Sequence, residues 1–355
     1  MLSNCVEKYS MADYISNLKV TVYLTCRTIS ATLKNDNQIC IEKEDGTCQL
    51  VNIDCIRRMV LIGKVTNLSY LVLHRMMIKR IPVDFLDLFG RTTGQLLPDN
   101  DEIKTYYLSQ EKFKDSLNSL VFARTIVKTK IHNCHEIIRR RKDKVSSDFD
   151  YKKFMQMINS ADSKDSLRGI EGIAAKHYFS LWSGIVKDFE WTGRIKHPAT
   201  DSINAVLSLG YTLLRNRLTS ALKSKGLNPR LGFYHISRGC HAALSSDLME
   251  QFRALVDTTV LGAIRKKIIK PDDFSCKENS ISIISGSAFP KILGIFEEMF
   301  NDVKIFYCCN GSKSEKVMKS SNDIIEDCAE NYVMSLQDKM SFQTWSIGNG
   351  AMFSH

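Results

Sequence analysis

Gly90-Arg-Thr-Thr-Gly-Gln-Leu-Leu-Pro-Asp-Asn-Asp101 separates two kinds of sequence. It is rich in turn formers and has no sustained apolar period, so it reads as a linker. Upstream, β-branched and aromatic residues come in short runs: Val20-Thr-Val-Tyr-Leu-Thr, Gln38-Ile-Cys-Ile and Met59-Val-Leu-Ile. The clusters Lys34-Asn-Asp-Asn and Glu44-Asp-Gly punctuate them, as turns punctuate hairpins. A helix is predicted over 68–79. Ile81-Pro-Val-Asp-Phe-Leu predicts a further strand with proline at its start, where a missing N–H matters least. Downstream, residues 105–145, 150–160, 164–187, 201–225 and 246–269 place apolar side chains at three-to-four spacing, the signature of amphipathic helices. Gly226 followed by Pro229 closes the fourth. Short strands over 279–285 and 303–309 flank a helix over 288–300, and 322–337 reads as one more helix. The expected fold class is α+β: a small N-terminal β domain over 1–95, a linker over 96–104, and a mostly α-helical domain over 105–310. The pattern leaves open the order of a tail over 311–355.

Forty-nine Lys and Arg against thirty-nine Asp and Glu give a formal charge of +10, which favours polyanionic partners. Eleven cysteines form no Cys-x-x-Cys pair, and the odd count scattered through a long chain points to reduced thiols rather than a disulfide framework or structural zinc. The first thirteen residues carry Glu7 and Asp13 and no apolar core of a secretory signal. The apolar stretches are too short or too interrupted to span a bilayer, so a cytoplasmic protein without membrane association is expected.

Position sharpens the meaning of the charge. Arg124, Lys128, Lys130, Arg139, Arg140, Arg141, Lys142 and Lys144 face only Glu136 and Asp143 in the same segment. Such a stripe suits phosphate contact or a solvated helical face; the contiguous Arg139 to Lys142 block repels itself unless an anion lies nearby. A second group, Arg215, Arg217, Lys223, Lys225 and Arg230, leads toward His235. A third, Arg265 to Lys267 with Lys270, sits where a helix C-terminus favours cations.

Three segments offer metal ligands. In Arg168-Gly-Ile-Glu-Gly, Glu171 lies between two glycines on a predicted helix. Each glycine costs about 1 kcal/mol there, which calls for close approach of another backbone, of a phosphate or of a packed helix. In Leu231-Gly-Phe-Tyr-His-Ile, His235 follows a turn and reads equally as a core histidine. In Ser245-Ser-Asp-Leu-Met-Glu-Gln-Phe-Arg, Asp247 and Glu250 share one helical face, but the same spacing is a capping box with Asp247 as N-cap. Two carboxylates and one imidazole suit Mg²⁺ or Mn²⁺ and phosphate-ester chemistry.

These segments occur in a telling order: Arg168-Gly-Ile-Glu-Gly with Ala174 and Tyr178, Asp201-Ser-Ile-Asn-Ala-Val-Leu-Ser-Leu-Gly-Tyr, Gly226-Leu-Asn-Pro, Gly232-Phe-Tyr-His, and Ser246-Asp-Leu-Met-Glu-Gln-Phe-Arg with Val256-Asp257. In that order they resemble the family of the universal integrase of CRISPR spacer acquisition, the first CRISPR-associated protein. Weaker similarity runs back through Lys130-Ile-His-Asn and Leu61-Ile-Gly, so the likeness covers most of 15–300. The resemblance implies a β domain before a helical catalytic domain, metal ligands at Glu171, His235 and Glu250, and an assisting acid at Asp247. It also implies a homodimer, two of which clasp a small ferredoxin-like second CRISPR-associated protein in a heterohexamer. Tyr234 stands where leucine is common and Ala254 where other residues are usual; neither departure is expected to touch a ligand. Nothing recognisable covers the tail.

The expected activity is that of a metal-dependent DNA endonuclease or integrase. The 3′-hydroxyl of a double-stranded DNA fragment attacks a phosphodiester at a CRISPR repeat, with the cation neutralising phosphoryl oxygens. Asn204, Tyr211, Lys225, Arg238 and Arg253, with the Arg139, Arg140, Arg141 and Lys142 block, are the candidate DNA contacts. Core packing serves Tyr211 equally well; a carboxylate on its own helix would serve Arg253, and a helix C-terminus Lys225. Rival readings are a structure-selective nuclease of branched DNA, whose nucleophile is water, and a non-catalytic DNA-binding scaffold. A small-molecule metallohydrolase is more distant because it has no use for the basic stripe.

Overall fold

The computed structural model describes residues 19–25, 27–65, 67–87, 92–98, 106–140, 149–195, 201–236, 239, 241–277, 280–283, 288–310 and 313–346. The chain divides into two compact units, residues 1–102 and 103–355.

The first unit is built on two four-stranded sheets. Strands β1 (Val20–Leu24), β2 (Thr28–Asn35), β3 (Gln38–Lys43), β4 (Cys48–Asn52), β5 (Ile56–Ile62) and β6 (Asn67–Leu68) precede helix α1 (Tyr70–Ile78), then β7 (Val83–Leu86) and β8 (Thr92–Leu96). One sheet runs β1-β5-β7-β8, the other β4-β3-β2-β6. The polar cluster at 34–37 does make the β2 to β3 turn, with Asn35 opposite Gln38. Alternation buries Ile39 and Ile41 of β3 against Val22, Leu24, Met59, Val72 and Met76. Ser69 caps α1, its hydroxyl accepting the Leu71 N–H at 3.2 Å. The parallel pairings β1 with β5 and β5 with β7 were not foreseen. Nor was β8: residues 92–96 of the stretch read as a linker pair antiparallel with β7, Val83 opposite Leu96.

The second unit is mostly helical. Its helices are α2 (Tyr107–Lys114), α3 (Leu117–Arg139), α4 (Tyr151–Ser160), α5 (Lys164–Ser180), α6 (Ser202–Ser224), α7 (Ala243–Met249) and α8 (Arg253–Arg265). After the β9 (Phe274–Lys277) and β10 (Ser280–Ile283) hairpin come α9 (Ala288–Asn301), β11 (Val303–Asn310), β12 (Lys313–Ser320), α10 (Ser321–Leu336) and β13 (Thr344–Ser346). The single helix expected over 105–145 is two, because Ser116 caps a new start and accepts the Ser119 N–H at 3.3 Å. The one expected over 246–269 is also broken: a 3₁₀ turn over Glu250–Phe252 joins α7 to α8. The tail, whose order the pattern left open, pairs β11 with both β12 and β13 and lays α10 against α6.

Helix α6 runs through the core, with Leu207, Leu214, Leu218 and Leu222 fully buried. Gly210 lets its neighbours close in: a Cβ there would lie 2.6 Å from the Phe296 ring and from Val256 Cγ1. Both side chains are fully buried, so Gly210→Ala overpacks the core and costs about 1–3 kcal/mol, readable as a lowered urea midpoint with unchanged m.

Candidate metal centre

Helix α5 carries Glu171, the turn after Gly232 carries His235, and the 3₁₀ break between α7 and α8 carries Glu250. The fold sets the two glutamates on one amine and the histidine beside Glu250. Lys130 Nζ on α3 is bonded to Glu171 Oε1 and lies 2.6 Å from Glu250 Oε2. His235 Nε2 stands 3.8 Å from Glu250 Oε1. Arg253 Nε donates to Glu250 Oε2 at 2.8 Å. Exposure is graded across the group, with Glu250 at 2% and His235 at 28%. The site is therefore anchored in the core and open at its histidine edge.

Asp247 builds the turn that presents His235. Its Oδ2 accepts the Phe233 and Tyr234 N–H groups at 2.6 and 3.0 Å, and its Oδ1 the His235 N–H at 2.7 Å. The same Oδ1 lies 2.7 Å from His235 Nδ1, which turns Nε2 toward Glu250. This is how a carboxylate orients a metal-binding histidine. Asp247 is not an N-cap: α7 begins at Ala243, with Ala242 before it, and the capping-box reading falls. Gly232 is required by the same contact, since a Cβ there would lie 2.8 Å from Asp247 Oδ2.

Lys130 was placed by sequence only in a basic stripe; its signal was being a lone cation on the buried face of α3. Tyr234 was expected to touch no ligand, yet its hydroxyl donates to Glu171 Oε2 at 2.6 Å. Arg168 returns the link, donating from Nη1 to the Tyr234 carbonyl at 2.7 Å. Gly169 and Gly172 have open space where a Cβ would be, among the described residues, so helix packing is not their reason. Burial opposes the charges of Glu250, Lys130 and His235. Arg253 and Lys130 nevertheless hold the Glu250 carboxyl well below its usual range, Glu171 and Glu250 raise the Lys130 amine, and the Asp247 bond and Glu250 raise His235.

Among the described residues, no group of three or more His, Cys, Asp or Glu is drawn closely enough to hold a metal as the side chains stand. The Lys130 ammonium is what lies between the carboxylates. The donor chemistry fits a divalent cation all the same: two carboxylates gathered on one point of positive charge, beside an imidazole fixed through its far nitrogen.

Behind this group lies a buried polar network. Asp257 on α8 accepts from Tyr178 Oη at 3.0 Å and from Tyr211 Oη. Arg253 lies over the Tyr211 ring, 4.6 Å from its centroid. Asn204 bonds to Asp201, Gly193 and Arg194. Asn204 and Tyr211, read as candidate DNA contacts, are therefore buried supports whose polar atoms are used internally. Burial pushes Asp257 up to about 6, against the Tyr211 and Tyr178 hydrogen bonds that favour its ionised form. Since its folded value exceeds the unfolded one, the folded state holds the extra proton between about pH 4 and 6. Stability falls through that window as pH rises. Asp257→Asn removes this slope, seen by comparing urea midpoints of the two proteins from pH 4 to 7.

The tail holds the residue next to Glu250. Gln251 Oε1 accepts the Trp345 N–H at 2.9 Å, its Nε2 donates to Cys328 Sγ at 3.3 Å, and its carbonyl accepts from Asn133 at 2.9 Å. Tyr332 stacks on Phe233, two residues before His235.

Of the predicted basic contacts, Arg139 and Arg140 are about half exposed and pair with Glu136. Lys225 pairs with Glu330 at 2.6 Å. Arg253 is turned into the site rather than outward. Arg217 is buried against Glu297 and Asn322. Arg141, Lys142 and Arg238 lie outside the described residues. The thiols of Cys40, Cys48, Cys55, Cys134, Cys308 and Cys328 are free, and no described helix is long and apolar enough to cross a membrane.

The family model for CRISPR associated protein Cas1 matches residues 27–298. A CRISPR-associated endonuclease Cas1 of Methanospirillum hungatei is 33% identical over 227 residues, 63% of each chain. One from Moorella thermoacetica is 30% identical over 270 residues, 72% of this chain and 78% of that one. Two solved structures share the fold: a casposase bound to integration product, TM-score 0.76 at 21% identity over 91% of this chain and 93% of that one, and a Cas1 protein from Thermotoga maritima, TM-score 0.73 at 21% identity over 93% and 99%. The chain thus spans just under two thirds of the Methanospirillum relative and nearly all of the two solved chains.

Proposed function

Since this chain belongs to the Cas1 family of CRISPR-associated proteins, we propose that it is a metal-dependent DNA integrase that inserts short double-stranded fragments as spacers into a CRISPR array. The observation that carries the reading is the convergence of Glu171 and Glu250 on Lys130, with His235 held by Asp247 and facing Glu250. Glu171, Glu250 and His235 Nε2 would hold the cation, Mg²⁺ or Mn²⁺. Bound there, it supplies Lewis acidity toward phosphoryl oxygens and in-line orientation. Asp247 keeps the imidazole aligned, and Arg253 holds Glu250 by its second bond.

In the reaction the oxygen of the fragment's 3′-hydroxyl forms the new P–O bond as it gives up its proton to solvent. The bond from that phosphorus to the repeat strand's 3′-oxygen breaks, and the departing oxygen takes up a proton to become a 3′-hydroxyl, so the number of phosphodiesters is unchanged. No covalent enzyme intermediate is needed. The proposal also includes a homodimer, a heterohexamer with a small ferredoxin-like second Cas protein, and a cytoplasmic setting, all suggested by likeness to the family. Strand transfer of a 3′-hydroxyl fragment into a supercoiled plasmid bearing the repeat is the test. Joined product supports the integrase; cutting without joining favours the branched-DNA nuclease; unchanged joining in Glu171→Ala removes the site.

Arg215 supports an anionic substrate. It lies one turn from Tyr211 and one from Thr219, which reaches Ser245 at 2.8 Å, so it faces the α7 side of the site. Burial and the nearby Arg253 both disfavour its charge, and no carboxylate among the described residues offsets them. A phosphate would. Arg215→Ala is expected to weaken DNA binding across sequences and lower the salt slope by about 1, measured by anisotropy at several salt concentrations.

A further inference from the structure

We infer that Lys130 is a resident counter-ion that occupies the cation's place in the metal-free protein and makes divalent-metal binding conditional on DNA. The inference rests on the ligand reading above and adds to it a role for a residue that reading does not use. Its basis is the geometry of one nitrogen. Lys130 Nζ touches both Glu171 Oε1 and Glu250 Oε2, and its side chain is only 13% exposed. Two oxygens bonded to one ammonium lie within about 5 Å of each other, near what a divalent ion would bridge.

The charges of the site close without a metal. Around the two glutamates, Lys130 and Arg253 offset both carboxylates. A divalent cation entering alone meets two cations already in place and must dislodge one of them. Lys130 is the one that can leave. Its long stem can swing the ammonium aside without deprotonation, whereas Arg253 is also held over the Tyr211 ring. Glu171 does not lose its orientation when Lys130 leaves, because Tyr234 Oη keeps its other oxygen at 2.6 Å.

A displaced ammonium needs an anion, and the metal's surplus charge needs one as well. A DNA phosphate meets both needs at once. Metal and DNA are then coupled through Lys130, and by linkage each must tighten the other by the same factor. The free enzyme is kept from cutting at random by the same device, since its cation site is closed by its own lysine until a strand arrives.

Mn²⁺ titrations by calorimetry test this, with and without a duplex whose 3′ ends are dideoxy-terminated so that no joining occurs. Wild type should bind Mn²⁺ at least ~10-fold tighter with the duplex. Lys130→Met, which keeps the stem and removes the charge, should bind Mn²⁺ at least ~10-fold tighter than wild type without DNA and respond less to the duplex. Its melting temperature without metal should fall, and added Mn²⁺ should raise it more than in wild type. Lys130→Arg should keep the dependence on DNA. Mn²⁺ affinity in Lys130→Met equal to or weaker than wild type overturns the inference, as does an equal wild-type affinity with and without duplex, a measurement that stands even if the variant does not fold. Failure of the ligand reading looks different: Glu171→Gln then binds Mn²⁺ as wild type does.

Discussion

Replacing Glu250 with alanine lowers the yield of joined DNA by about 10²–10³-fold and leaves DNA affinity, measured without divalent metal, no weaker than wild type. The size follows from what the side chain holds. A cation held by three protein donors loses its most buried one, and catalysis by oriented charge commonly falls by ~10²–10³ when one preorganised group is removed. Glu250 is also the shared partner of Lys130 and Arg253. Its loss strands two buried cations, so stability falls as well. Glu250→Gln separates the two effects, because it keeps volume and hydrogen bonds while still removing the charge; it should remain folded and remain inactive. Affinity is spared because the half-exposed Arg139 and Arg140 and the cation at Arg215 do not depend on Glu250. Strand transfer and anisotropy on the same preparations read both quantities.

Asp247→Ala is expected to cost about 3–5 kcal/mol of stability. Three backbone N–H groups and an imidazole converge on this fully buried carboxylate. Each buried donor left without an acceptor costs about 1–3 kcal/mol. The turn over 232–235 then has no reason to hold its shape. Activity is lost at temperatures where the variant is still folded, since His235 Nε2 is no longer aimed at Glu250. Asp247→Asn retains one acceptor oxygen and should fall between the two proteins in urea midpoint.

The helices and their amphipathic faces were legible because periodicity survives in a single sequence. What escaped was decided by local competition. Ser116 and Glu250 interrupt stretches whose apolar spacing runs on unbroken, and Thr92 to Leu96 pairs as an edge strand despite a composition suited to a loop. The three candidate ligands were picked out by motif order; the fold sets Glu171 and Glu250 on Lys130 and places His235 beside Glu250. Lys130 and Tyr234 were missed for a common reason: a lysine on a helix and a tyrosine in a turn acquire meaning only from what lies across from them. Asn204 and Tyr211 differ in the opposite sense: they are motif residues buried behind the site, and for Tyr211 the core-packing alternative is the one the fold takes. The tail carried no motif, yet Trp345 and Cys328 fix Gln251, and through it the break that presents Glu250.

Anomalous diffraction at the manganese edge, from crystals of the protein with bound DNA and Mn²⁺, tests the central claim most directly. The expected result is one peak about 2.0–2.3 Å from an oxygen of Glu171, an oxygen of Glu250 and Nε2 of His235, with the Lys130 ammonium moved off it. A peak away from these side chains, or one that leaves His235 still turned to Glu250 with no metal between them, contradicts the account.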